Sequence, residues 1–392
     1  MSKINQDQGN DQGKKKTVNM KDDLWGRGLP TELLELILSK LIFVVDINNF
    51  HSVCKTWRSI NVSVSPPRQL PSLLAYADSS FPLLFQITDP WFRPHRRKYS
   101  VFHPLYKYTW NMEFPPQVRD GCKNIYFSKY GWLLQLYSHP NPYILDQPYR
   151  EYAILFNPLT QEIKELPRMP VFPGHPPCMF FTAPPSHPDC FVVAISGLNS
   201  SIYVHKLGED DWKKHDLKGK MDPSFQPDCH PILYQGLCYC LDQNKNLAVF
   251  DIQDIENTWI VHDKLIPSEL NVPFLILSAL VEHNGQLLAV FIGVKDPPYV
   301  FELDLKRNLC VPMRSLGNNA LFISKCASFS QRAVVSGTGN KIFFPFGLNK
   351  INDQSFRFYS LATGKYHSFF DNLSSDDLCG TEYLVDRSWL PM

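Results

Sequence analysis

Proline rules out long helices over most of this chain. There are 32 prolines in 392 residues, about 8% against a usual ~5%. Pro-Pro pairs recur at 66–67, 115–116, 176–177, 184–185 and 297–298. Each proline lacks a backbone donor and clashes with the preceding helical turn. The segments between these breakers are short, aromatic and β-branched, as strands are. They also repeat. One unit runs GCKNIYFSKYGWLLQLYS and REYAILFNPLTQEIKELP; another spans 230–265; a third joins 277–293 to 299–313; a fourth joins 339–348 to 355–370. In each, a turn with Gly or Asn precedes an apolar strand, and a second apolar strand and a polar turn follow. Two more degenerate units fit, at 82–90 with 98–115 and at 190–217. The period of about 40–55 residues is that of propeller blades. A small twisted sheet cannot bury both faces alone, but several stacked around an axis bury one another. The expected fold over 72–392 is therefore all-β, a β-propeller of about six blades, with RSWLPM at the end in a closing strand. A pair of β-sandwiches is the rival.

The front of the chain has a different texture. Residues 1–23 hold no aromatic residue and are rich in Asn, Gln, Asp, Lys and Gly, a composition that reads as a disordered tail. Lys14, Lys15 and Lys16 are weak evidence for a nuclear address. Residues 24–62 read as a small all-α segment and 63–71 as a Pro-rich linker. Leu29-Pro30-Thr31 suits a helix start with Pro in the first turn. Leu33, Leu34, Ile37, Leu38 and Leu41 then form a wide apolar stripe. Asp46 is placed to cap a second helix, in which Ile47, Phe50, Val53, Cys54, Trp57 and Ile60 recur at spacings near three and four. Thirty-odd residues cannot bury so much apolar side chain among themselves. The excess needs either the rest of the protein or a partner's groove.

Leu29-Pro30, Leu33-Leu34, Ile37-Leu38 and Leu41, followed by Val53-Cys54-Lys55-Thr56-Trp57-Arg58, closely resemble an F-box. That resemblance implies a helical module that binds the Skp-type adaptor of cullin–RING (SCF) ubiquitin ligases. Leu29, Pro30, Leu33, Leu34, Ile37, Leu38, Val53, Cys54 and Trp57 would form that interface or support it, with Trp57 the strongest candidate for core. The stretch 42–50 departs from the pattern in being more apolar. The remainder resembles the plant F-box family with a kelch-like C-terminal domain, through GWLL, LFNPLT, GNNALFISKCASFS, GNKIFF and the terminal WLP. The resemblance implies a substrate receptor for ubiquitination, with the propeller holding a protein target, and names no target.

Other classes find less support. Formal net charge is +1, which gives no electrostatic case for nucleic acid or an anionic membrane as the main partner. No apolar run approaches the roughly 18–20 residues that span a bilayer, and a cytoplasmic or nuclear protein is expected. The ten cysteines are scattered; Cys238 and Cys240, two positions apart on a strand, share a face. Their spacing matches no zinc site, so they read as small buried hydrophobes. No nucleophile elbow, zincin motif or phosphate loop is present. Ser336–Lys341 is Gly-rich but precedes a strand, Asp210 and Asp211 read as turn residues, and the histidines at 95, 103, 139, 175, 187 and 230 read as loop residues. No cofactor or metal is implied. Arg93, Arg96, Arg97 and Lys98 form the one basic cluster, a solvated loop or a target-binding one. A non-degradative F-box scaffold and a propeller enzyme with convergent carboxylates remain the alternatives.

Overall fold

The computed structural model describes residues 29–41, 44–62, 81–88, 98–104, 108–117, 122–138, 151–168, 178–263, 265–267, 275–293, 296–345, 357–368 and 387–391. The tail expected at 1–23 and the linker expected at 63–71 lie outside them. The chain divides into two compact units, Met1–Val64 and Ser65–Met392.

The first unit holds helices α1 (Thr31–Lys40), α2 (Val44–Ser52) and α3 (Lys55–Arg58). Pro30 is the N-cap of α1, one position earlier than expected; its carbonyl accepts from the Leu33 and Leu34 amides at 3.0 and 3.2 Å. A residue without a donor loses nothing at this end. Asp46 lies inside the first turn of α2 and so does not cap it; there it complements the helix dipole. Leu34, Leu38, Phe50 and Ile60 form the core, with Leu41, Ile47, Trp57 and Val62 packed against it. The Phe50 and Trp57 rings meet at 4.6 Å.

The second unit is a six-bladed β-propeller. Blade 1 is β1 (Leu83–Thr88), β2 (Lys98–His103) and β3 (Tyr108–Glu113), and blade 2 is β4 (Cys122–Lys129), β5 (Trp132–Ser138), β6 (Glu151–Phe156) and β7 (Ile163–Glu165). Blade 3 is β8 (Cys178–Phe181), β9 (Phe191–Ser196), β10 (Ser201–Lys206) and β11 (Lys213–Asp216). Blade 4 is β12 (Ile232–Tyr234), β13 (Leu237–Leu241), β14 (Leu247–Phe250) and β15 (Ile260–His262). Blade 5 is β16 (Leu275–His283), β17 (Gln286–Gly293), β18 (Tyr299–Asp304) and β19 (Leu309–Pro312). Blade 6 has five strands: β20 (Asn319–Ile323), β21 (Ser328–Arg332), β22 (Lys341–Phe344), β23 (Arg357–Ser360) and β24 (Lys365–Ser368). The last strand, β25 (Arg387–Leu390), pairs with β1 and closes the ring. It supplies the innermost strand of blade 1, beside β4, β8, β12, β16 and β21 of the other blades.

Alternation along the strands explains the continuous apolar runs. On β6, Ala153 and Leu155 join the core shared with blade 3, while Ile154 and Phe156 join the core shared with blade 1. On β17, Leu287, Ala289 and Phe291 face blade 4 and Leu288, Val290 and Ile292 face blade 6. Successive side chains point to opposite faces, and both faces are covered. Two-residue hairpins set the first turn of three blades: Tyr130-Gly131, Gln235-Gly236 and Asn284-Gly285 all have positive φ, the left-handed pair that matches strand twist.

Gly197, just after β9, is required for a different reason. A Cβ there would lie 1.8 Å from the Phe225 carbonyl oxygen. Backbone cannot yield cheaply, so Gly197→Ala is expected to cost at least about 3 kcal/mol. Chemical denaturation of both proteins measures it, and an unchanged midpoint would refute the close approach.

Candidate functional site

Two surfaces carry candidate chemistry. The first lies on the helices. On α1, Leu34 and Leu38 are 1% and 7% exposed, whereas Leu33, Leu36 and Ile37 are 45%, 53% and 37% exposed. Positions 33, 36 and 37 share one helical face; 34, 38 and 41 share the neighbouring one. Leu29 precedes the outer face and Val53 follows α2, 41% and 47% exposed, and Pro30 is exposed too. Of the residues expected at an adaptor interface, Leu29, Pro30, Leu33, Ile37 and Val53 are therefore presented to solvent. Leu34 and Leu38 are not: they are core and can act only as support. Cys54 is half-buried, and Trp57 packs on Phe50. Leu36 is the exposed apolar residue that the sequence reading passed over; its spacing of three from Leu33 was the available signal.

The second surface is a cavity of about 260 Å³ among the innermost strands of the propeller. Residues of β4, β8, β12, β16 and β21 line it, as do the hairpin residue Tyr130 and Pro391 after β25. Phe127 makes edge-on contacts with Phe181 and His230, at 5.0 and 5.2 Å between ring centroids. Ser128 is 2% exposed and donates its amide to the Cys326 carbonyl at 2.7 Å. Its Oγ has no hydrogen-bond partner among the described residues. Lys129 and Glu282 place one charge of each sign on the lining.

His230 lies in a loop just before β12, as expected, but it is a buried loop residue. Its Nδ1 lies 3.3 Å from the Lys325 carbonyl, and desolvation pushes its pKa down to about 4. His103 is likewise buried, within β2, and lowered to about 4 by burial. Both rings are neutral in the fold. The unfolded chain protonates them near pH 6.5, so it binds more protons than the native state between about pH 6.5 and 4. Stability therefore falls as pH drops through that window, by up to roughly 1.4 kcal/mol per pH unit for each ring. Melting temperatures of wild type and His230→Gln between pH 7.5 and 4.5 are expected to converge at acid pH. Parallel curves would contradict the buried neutral ring.

The remaining candidates resolve simply. Lys98 is exposed at the start of β2 and pairs with Glu113 at 3.8 Å, while Arg93, Arg96 and Arg97 lie outside the described residues. Asp210 and Asp211 are exposed between β10 and β11, and 336–340 form a turn before β22. Cys238 and Cys240 share one face of β13, fully buried. Burial raises both thiols, and raises Cys178 to about 12, away from the reactive thiolate.

The chain resembles F-box/kelch-repeat protein At1g57790 of Arabidopsis thaliana, 25% identical over 375 residues, covering 94% of each. It also resembles F-box/kelch-repeat protein At3g18720, 26% identical over 86% of this chain and 83% of that one. F-box protein At3g56470, from the same plant, is 25% identical over 77% of this chain and 73% of its own. The model of the KIB1-4 β-propeller matches residues 102–371, from the second strand of blade 1 to the end of blade 6. This chain belongs to the KIB1-4 β-propeller family.

Proposed function

We propose that this protein is the substrate-binding subunit of a Skp–cullin–F-box ubiquitin ligase. Its helices dock the adaptor and its propeller holds a protein target. The observation that carries the reading is the second apolar face of α1. Leu33, Leu36 and Ile37 stand in solvent beside Leu29, Pro30 and Val53, on a unit whose own core is filled by Leu34, Leu38, Phe50 and Ile60. An outward apolar helix face of this kind fits a partner's groove. The F-box names of the relatives agree.

Catalysis in such an assembly is positional. Tethering a target raises the effective concentration of its lysines near the conjugating enzyme, and this chain supplies no acid, base or nucleophile. Cullin and RING subunits join through the adaptor. The test is reconstitution: purified chain, Skp-type adaptor, cullin and RING subunits are mixed and assembly is read by light scattering. Co-elution supports the reading; a folded chain that leaves the adaptor free overturns it. Ubiquitination of a captured target, with its half-life in cells, then separates a degradative receptor from a scaffold.

A further inference from the structure

We propose that the groove at the outer rim between blades 2 and 3 docks an arginine side chain of the target protein. This rests on the receptor reading and adds the chemistry recognised. Glu165 of β7 and Pro167 after it line one side of the groove. Pro185, Pro188, His205 of β10 and Asp210 in the following turn line the other. The space between them is about 570 Å³. Two side chains tie the blades together across this seam. The Trp212 indole N–H donates to the Pro167 carbonyl at 3.1 Å, and the Lys164 ammonium donates to the Pro185 carbonyl at 3.0 Å. The groove is therefore built before a ligand arrives, which lowers the ordering cost of binding.

His205 calls for a donor. The residue is 2% exposed and lines the groove. Its Nδ1 lies 3.2 Å from the Asp211 carbonyl oxygen. A carbonyl only accepts, so Nδ1 carries the proton and Nε2 of the neutral ring is left as an acceptor. Among the described residues Nε2 has no hydrogen-bond partner, and unlike the Ser128 Oγ it is not sealed from solvent. So enclosed a nitrogen gains from a ligand N–H that reaches it through the groove. Charge chooses which one. Of the lining charges, Glu209 pairs with Lys213 at 3.2 Å and Lys164 lies 3.8 Å from Glu162. Glu165 and Asp210 have no ion pair among the described residues. Two uncompensated carboxylates and an imidazole acceptor match a cation with several donors. A guanidinium carries five N–H groups in one plane and can serve a nitrogen and a carboxylate together, whereas a lysine ammonium is a compact, more strongly hydrated point charge. The proline rings offer apolar walls to the aliphatic stem.

The test titrates the full chain with N-acetyl-L-argininamide, N-acetyl-L-lysinamide and the neutral isostere N-acetyl-L-citrullinamide, read by saturation-transfer NMR. The arginine probe is expected to bind saturably, at least about fivefold tighter than either of the others. Glu165→Gln combined with Asp210→Asn keeps shape and removes both charges. Both positions are exposed, so melting is expected to be unchanged and arginine affinity to fall at least about fivefold. His205→Asn keeps a donor for the Asp211 carbonyl and removes the Nε2 acceptor. It is expected to weaken the arginine probe at least about threefold; if it also lowers the melting temperature, the carboxylate variant decides. No saturable arginine binding to wild type, or arginine affinity untouched by the carboxylate variant, would overturn the proposal. So would equal affinities for arginine and lysine, the mark of a diffuse negative field. Adaptor binding is titrated on the same wild-type sample. A chain that binds arginine and ignores the adaptor overturns the receptor reading; one that binds the adaptor and ignores arginine overturns the groove.

Discussion

Leu33→Ala combined with Ile37→Ala is expected to abolish adaptor capture while leaving the helices folded. Both side chains are more than one-third exposed, so their removal creates no cavity, and alanine is the best helix former. Exposed changes of this kind normally stay within about 0.5 kcal/mol of stability. Binding is another matter. Anchor residues at the centre of an interface cost about 2 kcal/mol or more each on truncation, and two of them, even if not additive, should weaken the adaptor at least about 100-fold. Leu34→Ala should fail for the opposite reason. That side chain is 1% exposed among four fully buried core residues, and truncation costs about 2–5 kcal/mol, more than so small a unit can absorb. Circular dichroism and adaptor titration separate the two. If the Leu33/Ile37 variant binds at wild-type strength, the outward face is not the docking surface.

The contrast between Leu33 and Leu34 marks what the sequence could reveal. Period and motif placed an apolar helix and its partner residues, because 3.6-residue spacing is local. Which of two adjacent apolar faces turned inward depended on Phe50 and Ile60, which arrive from elsewhere in the chain. The propeller was legible for the same local reason: GWLL and its counterparts carry two-residue turns with positive φ followed by strands buried on both sides. Blade 3 lost its innermost strand, since CMFF at 178–181 is too short to show a period. Blade 6 was read only in part. GNNALFISKCASFS forms β20 and β21, and β20 runs parallel to β22, a pairing that no spacing rule announces. The cavity was invisible, because Phe127 and Ser128 of blade 2, His230 beside blade 4 and Phe329 of blade 6 are distant in sequence. His230, next to Pro231, is a loop residue as its sequence context suggests, but its burial comes from neighbouring blades and has no local signal.

Removal of residues 387–392 is expected to have the largest effect on the fold. Strand β25 completes blade 1, pairing Leu390 with Leu83 and Trp389 with Leu84. Without it, β1 presents an unpaired edge, the kind of edge that aggregates. The seam with blade 6 also loses Trp389, whose ring meets Phe322 at 5.2 Å. Loss of a cooperative thermal transition is the expected result. Two point variants divide the contribution. Trp389 is 0% exposed, so Trp389→Ala should cost about 3–5 kcal/mol through the cavity it leaves. Its indole N–H has no partner among the described residues. Trp389→Phe therefore keeps most of the ring and relieves an unpaired donor, and should cost no more than about 1.5 kcal/mol. Denaturant midpoints for the three proteins decide it. Equal losses for alanine and phenylalanine would mean that the indole N–H is bonded in solution and that closure rests on that bond; a truncated chain that still melts cooperatively would mean that the ring closes without its last strand.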